Sequence, residues 1–371
     1  MRIIFSTDQT YLHGGIEKVM AEKANYFADV LGYEVIILTS EQKHRNACYI
    51  LSEKIKQLDL GINYNRSKSF FSIENLLKIP KHFLSLKNKY KMLNPDFVIV
   101  SNFGFDFYMT PFINRGSKKI KEFHSSRFFE HKIRSTSLSV LTRLRYKITD
   151  WIESLYDRII VLNPEEITFY KSSKISVISN PVTLPTTIAN LKNKKVIAAG
   201  RINQVKGFDK LIESWIKVHN IFPDWELHIY GEDYLGTKNE LQKLIIQYHL
   251  EKVIFFRGVT TDSIKTFSEY SIYALSSQTE CYPMVLLEAL SVGLPVVSFD
   301  CPTGPRHILT HLEDGILVEN QKPEALSSGL IQLIENEELR KEYGSNAKKN
   351  SHRFTAEKIM LQWASLFQEM K

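Results

Sequence analysis

Two successive α/β units, each built on a doubly wound parallel sheet, are the fold predicted by this 371-residue chain. Three observations predict it. Short buried-strand patterns alternate with segments of helical period, as in parallel sheets with crossover helices. The alternation breaks at Asn180-Pro181-Val182-Thr183-Leu184-Pro185 and a polar stretch up to Lys195, then restarts. The length also exceeds what a single core usually serves.

In the first half, Arg2–Ser6 reads as a short apolar strand. A loop through His13-Gly14-Gly15 leads into a helix with Ile16, Val19, Met20, Phe27, Val30 and Leu31 at helical spacing. Glu34–Thr39, Phe97–Val100 and Arg158–Leu162 read as further strands, with Ile175–Ser179 as the last of the set. After the break, Val196–Ala199, Glu226–Tyr230, Val253–Phe256, Ser271–Leu275 and Val296–Phe299 read as strands. Phe208–His219, Lys238–Tyr248 and Pro283–Val292 read as helices, and beyond Pro323 the chain is mostly helical. The boundaries expected are 1–181 for the first domain and 186–354 for the second, with a final helix over about 355–371 returning to the first. Ligands of such sheets bind at the carboxyl ends of the strands.

Hydrophobic content of 43% and a mean hydropathy of −0.19 fit a globular protein with substantial cores. No apolar run reaches the length of a membrane span, and the N-terminus enters a strand without a signal peptide's apolar region. Cys48, Cys281 and Cys301 have spacings of neither a disulfide framework nor a zinc site, so the reducing cytoplasm is the expected location. Residues 1–181 hold 27 Lys and Arg against 18 Asp and Glu, a net of +9. Residues 182–371 hold 21 against 23, a net of −2, and the two give the chain's +7. An anionic partner is therefore expected for the first half only.

Three clusters follow the strands above, and a fourth follows a short apolar stretch. In Gln278-Thr279-Glu280-Cys281-Tyr282-Pro283-Met284, Pro283 suits the first helical position, so Glu280 precedes the helix and Glu288 lies on it. The helix start attracts phosphate, and the two carboxylates suit hydroxyls; a nucleotide sugar supplies both. Gly200-Arg201-Ile202-Asn203-Gln204-Val205-Lys206-Gly207 sets two cations in a glycine-bounded loop suited to a diphosphate. His13-Gly14-Gly15 lets backbone approach an anion. Glu122-Phe123-His124-Ser125-Ser126 adds a histidine. The plain alternatives are a surface helix, a solvated basic loop, an ordinary turn and a structural histidine.

Together, Gly14-Gly15, His124, Gly200-Arg201 with Lys206-Gly207, and Glu280 to Glu288 resemble the family 4 retaining glycosyltransferases of the GT-B fold. That fold has two Rossmann-like domains facing a central cleft. Tyr230-Gly231-Glu232, Phe256-Arg257-Gly258, Gly293-Leu294-Pro295-Val296-Val297 and Asp314-Gly315 extend the resemblance, which is denser after Ala199. It implies that Arg201 and Lys206 hold the donor diphosphate, with Gly200, Gly231 and Arg257 in the same binding surface. Glu288 would bind ribose hydroxyls, and Glu280 hydroxyls of the donor sugar. Pro283 and the backbone of Met284, Val285 and Leu286 would complete the phosphate site. Gly14 and Gly15 would approach from the opposite domain, and His124 would lie by the transferred sugar. The family usually works without a metal, and this chain has no Asp-x-Asp pair. Cys301-Pro302-Thr303-Gly304-Pro305-Arg306 resembles a subset acting in bacterial surface polysaccharide assembly with UDP-hexoses or UDP-N-acetylhexosamines. The chain departs from that subset in having His307 where many members carry a glutamate.

The expected reaction is transfer of a hexosyl unit from a UDP-sugar to a glycan or polyprenyl-linked acceptor, without a cofactor. Between Arg115 and Lys147, ten Lys and Arg and two acidic residues are interleaved with Phe123, Phe128, Phe129, Leu138, Val140, Leu141, Leu144 and Tyr146. Lys78, Lys81, Lys87, Lys89 and Lys91 accompany Phe70, Phe71 and Phe83. Such segments suit an anionic membrane surface, on the inner face of the cell membrane, and equally suit ordinary solvated helices. A nucleotide-sugar epimerase and a basic polyanion-binding module with a vestigial donor site are the competing functions. No nucleic-acid motif is present.

Overall fold

A computed structural model describes residues 1–371 apart from 115, 137, 138 and 234. Arg115 and Leu138 of the first basic segment thus lie outside the described residues. The chain forms two units, Met1–Pro181 with Ile359–Lys371, and Val182–Lys358.

Among the described residues the first unit holds seven parallel strands: β1 (Arg2–Thr7), β2 (Glu34–Thr39), β3 (Lys56–Asp59), β4 (Phe97–Val100), β5 (Lys118–Glu122), β6 (Arg158–Val161) and β7 (Ile175–Val177). Their order is β3-β2-β1-β4-β5-β6-β7. Its helices are α1 (Gly15–Asp29), α2 (Ile73–Leu76), α3 (Ile79–Leu93), α4 (Phe105–Met109), α5 (Phe128–Arg134) and α6 (Val140–Ser154). Successive β1 residues serve opposite faces, as the strand period of two requires. Ile3 and Phe5 pack with Phe27, Trp363 and Phe367. Ile4 packs with Leu86 and Tyr90 on the other side.

β3 and β5 have no counterpart in the sequence reading. β5 falls in the basic segment that suits a membrane surface or a solvated helix, yet Lys119 and Lys121 are buried. The Lys121 ammonium donates to the carbonyls of Val100, Asn102 and Glu122 at 3.1, 2.7 and 3.0 Å. Its three N–H groups are thereby used in binding the β4 and β5 ends together. Phe123 and Arg127 are also buried. These four side chains, from a segment that suited a membrane surface or a solvated helix equally, are interior instead. Phe70 and Phe83 likewise pack against the core.

Among the described residues the second unit holds six parallel strands, β8 (Lys195–Ala199), β9 (Glu226–Tyr230), β10 (Ile254–Gly258), β11 (Ile272–Leu275), β12 (Val296–Phe299) and β13 (Gly315–Val318). Their order is β10-β9-β8-β11-β12-β13. The helices are α7 (Phe208–Ile221), α8 (Thr237–Gln247), α9 (Ser263–Phe267), α10 (Met284–Ser291), α11 (Pro323–Glu335) and α12 (Glu337–Ser351); α13 (Ala356–Met370) follows. β13 is a further strand absent from the sequence reading. Trp215 of α7 is fully buried against the β8, β9 and α11 side chains of one core. From Ile359 onward α13 belongs to the first unit.

Each sheet winds outward in both directions from one strand pair, β1/β4 and β8/β11. At such a switch the following loops part, leaving a crevice at the strand ends. The β8–β11 register covers only Val196 with Ile272 and Ile197 with Tyr273. Gly200 donates its N–H to Tyr230 on the β9 side. Alternation therefore turns the Ala199 N–H and carbonyl toward β11, where no backbone meets them. The fully buried Tyr273 hydroxyl accepts from the N–H at 3.2 Å and donates to the carbonyl at 3.0 Å. Unpaired backbone groups are costly in an interior. Tyr273→Phe should lower stability by roughly 1–3 kcal/mol, read by thermal unfolding; an unchanged midpoint would refute this role.

Candidate functional site

In the second unit, the loops after β8, β11 and β12 converge. The β8 loop makes one 3₁₀ turn, Gln204–Lys206, capped by Asn203, whose side chain accepts from the Lys206 N–H at 3.2 Å. Gly207 then takes φ +61°, where a Cβ would overlap the Ser276 carbonyl. Only glycine fits there. The loops are stitched by Gln278 N–H to the Val205 carbonyl at 2.8 Å and Ser276 Oγ to the Lys206 carbonyl at 2.9 Å.

This places the Lys206 ammonium 2.6 Å from Glu280 Oε1, which also accepts from Ser277 Oγ at 2.6 Å. Glu280 is held by its backbone as well: Thr303 Oγ1 donates to its carbonyl at 2.6 Å. Thr303 lies at φ +71°, a costly region for a β-branched residue. At Gly304 a Cβ would lie 2.7 Å from Glu280 Cβ. The Cys301–Arg306 turn therefore buttresses Glu280, a task with no local signature. Ser277 and Thr303 were not among the sequence candidates.

Pro283 is not the first helical residue. It is the extended N-cap of α10, which starts at Met284. Its carbonyl accepts from the Leu286 N–H at 3.0 Å, so that N–H is already engaged. Met284 and Val285 carry the first N–H groups of the helix, the ones a helix leaves to outside partners. Glu288 is buried one turn further on, and Arg201 is exposed in the β8 loop. Gly200 and Gly231 meet at the strand ends: a Cβ on Gly231 would overlap the Gly200 carbonyl. Arg257 is engaged with His228 at 3.0 Å and lies over the Phe255 ring.

In the first unit, Gly14 caps α1 and Gly15 begins it. A Cβ on Gly14 would overlap the Glu17 carboxylate. His124 follows β5, with Nε2 3.3 Å from Glu122 Oε2. Glu122 and Lys23 form a fully buried ion pair, and Lys23 lies 4.9 Å above the Trp363 ring. Burial acts to raise the Glu122 carboxyl, but Lys23 and His124 outweigh it and hold it well below the usual carboxylate range. Burial pulls the Lys23 ammonium down despite Glu122.

A second polar cluster, missed by the sequence reading, surrounds the β1 and β4 ends. Arg66 bridges Asp8 at 2.7 Å and Glu41. Asp106 accepts from Ser6 and faces His82 Nε2 at 2.9 Å, while His82 Nδ1 meets the Tyr64 hydroxyl at 2.9 Å. Burial raises the Asp8 carboxyl to about 6, opposed by Arg66 and reinforced by Asp106. Between its ordinary value of 3.8 and about 6, folded Asp8 keeps a proton that the unfolded chain has lost. Its contribution to stability therefore falls as pH rises through that window. The thermal midpoint of the wild type relative to Asp8→Asn should fall from about pH 4 to about pH 6; a flat or rising difference would contradict this.

Residues 185–350 match the family description "Glycosyl transferases group 1", and residues 13–184 match "Glycosyltransferase Family 4". A Haemophilus influenzae protein described as an uncharacterized glycosyltransferase is 30% identical over 363 residues, covering 95% of this chain and 96% of its own. The Erwinia amylovora amylovoran biosynthesis glycosyltransferase AmsD is 36% identical over 176 residues, 46% of this chain and 47% of its own. Among solved structures, a point mutant of Staphylococcus aureus TarM, crystallised with fondaparinux, α-GlcNAc-glycerol and UDP, superposes with a TM-score of 0.80 at 18% identity, covering 99% of each chain. Two parallel sheets in this order, matched across both halves, make the chain a GT-B glycosyltransferase with a family 4 first half and a group 1 second half.

Proposed function

We propose that the chain transfers a hexose or N-acetylhexosamine from a UDP-sugar to a hydroxyl of a glycan or polyprenyl-linked acceptor in surface polysaccharide synthesis, with retention and without a metal. The observation that carries the donor reading is the Lys206–Glu280 pair, fixed at 2.6 Å in the β8/β11 crevice beside the start of α10. A diphosphate takes Lys206, Arg201 and the N–H groups of Met284 and Val285, while Glu280 turns to the sugar hydroxyls and Glu288 to the ribose. The family resemblance assigns Gly14 and Gly15 to the diphosphate and His124 to the transferred sugar. UDP and α-GlcNAc-glycerol in the TarM crystal support UDP as the nucleotide. They also support retention, since UDP-hexoses are themselves α-configured.

The bond from the sugar's C1 to the phosphate oxygen breaks as one from C1 to the acceptor oxygen forms on the same face. The departing phosphate oxygen takes the acceptor's proton. Positive charge fixed at that oxygen lowers the barrier. Glu280 holds the sugar and is not the nucleophile. A cytoplasmic location, peripheral to the inner face of the cell membrane, belongs to the same reading.

UDP should raise the thermal midpoint more than GDP or ADP, and EDTA should leave transfer from a panel of UDP-hexoses unchanged. Absence of any UDP-dependent shift defeats the donor assignment. Lys206→Ala should slow transfer by roughly 10²–10³-fold. Glu280→Gln, which releases Lys206, should retain UDP binding while losing transfer; a trapped glycosyl-enzyme or azide rescue would make Glu280 the nucleophile. UDP-N-acetylglucosamine incubated alone should stay unconverted, whereas an epimerase would convert it.

A further inference from the structure

We propose that α6, with α5 beside it, is a docking face for an anionic lipid bilayer. Val140, Leu141, Leu144, Ile148, Trp151 and Leu155 are all exposed, Val140 and Leu141 to 79%. Their spacing of i, i+1, i+4, i+8, i+11 and i+15 gathers them within about 100° of the helix circumference. α6 turns a different face inward, through Thr149, Ile152 and Glu153. The exposed stripe is therefore additional to the helix's own core contacts. Phe112, itself exposed, sets its ring 5.8 Å from Trp151 and widens the patch. α5 buries none of its residues, exposes Phe129 and Ile133, and is tied to α6 by the Arg134–Asp150 ion pair at 2.6 Å.

Charge selects the occupant. Residues 131–149 contain Lys132, Arg134, Arg143, Arg145 and Lys147 and no Asp or Glu; Arg134 is paired with the flanking Glu130 and Asp150, so Lys132, Arg143, Arg145 and Lys147 supply the positive charge. By the helical period, Arg143 and Lys147 border one edge of the stripe and Arg145 the other. Cations reach headgroup phosphates while the apolar stripe enters the acyl boundary, and Trp151 suits that boundary. A soluble polyanion would meet the cations and leave the stripe in water. A second copy would set the cations of two α6 helices against each other. A bilayer satisfies both features.

This deepens the peripheral location proposed above, but it does not depend on the donor chemistry. Vesicle binding can fail while the UDP-dependent shift holds, and the reverse. Trp151 is 54% exposed, whereas Trp215, Trp225 and Trp363 are at most 4% exposed, so a lipid-induced change in tryptophan fluorescence reports on α6. With phosphatidylglycerol/phosphatidylcholine vesicles the full chain should show a blue shift and float; with phosphatidylcholine alone it should do neither. Salt should weaken binding. A variant combining Arg143→Gln, Arg145→Gln and Lys147→Gln should lose roughly a hundredfold in affinity and keep the wild-type thermal midpoint. Leu141→Glu with Leu144→Glu should abolish the blue shift. The proposal is overturned by no blue shift on anionic vesicles, by equal flotation of the charge variant, or by sedimentation showing a dimer that Leu144→Glu dissociates. Equal affinity for heparin without a blue shift would also overturn it.

Discussion

Ala199 presents an N–H and a carbonyl to a gap that no strand fills, and the second unit's site depends on how that gap is kept open. A winding reversal requires two neighbouring strands to send their chains in opposite directions, which strips the last backbone groups between them of partners. One phenol oxygen, on the very strand that turns away, serves both groups. The strand ends then remain apart without exposing unpaired polar atoms. Into that space come loops that glycine alone allows to approach so closely, at 207 and 231. Only then do Lys206 and Glu280, 74 residues apart, meet.

The first unit meets the same demand with charge. Asp8, Glu41, Arg66, Asp106 and His82 occupy the β1/β4 ends, and the buried Lys23–Glu122 pair supports the loop carrying His124. Removing one partner from a buried pair costs about 3–5 kcal/mol, whereas replacing both with apolar groups is often neutral. Such a network therefore fixes geometry more than it adds stability. It also makes the first unit respond to proton concentration where the Tyr273 arrangement does not, because a phenol held in an interior stays protonated.

Legibility in the sequence followed the reach of each interaction. The strands Glu34–Thr39, Phe97–Val100, Glu226–Tyr230 and Val296–Phe299 could be read to the residue, because each is a short apolar run between turn signals. The α10 segment was legible through Pro283 and Gly293, although a one-residue shift moved the proline from the helix to its cap. β5 was not legible, since Lys-Lys-Ile-Lys-Glu has the composition of a solvated loop. Its burial rests on carbonyls of Val100 and Asn102, about twenty positions earlier. Glu280 could be found from its motif, but its supports could not: Thr303 lies 23 positions away and adopts a backbone shape that threonine rarely takes. The Asp8–Arg66–Glu41 group has no spacing at all to find.

Placing α13 in the first unit has a consequence for how the chain is made. Trp363 and Phe367 fill the core around Ile3, Phe5 and Phe27, and Trp363 faces the Lys23 ammonium. Ile3, Phe5 and Phe27 thus leave the ribosome well before the helix that closes their interior. The second unit, Val182–Lys358, is continuous and has all its residues before the first unit does. The unit that carries most of the exposed large apolar side chains is thus the one whose core is completed last.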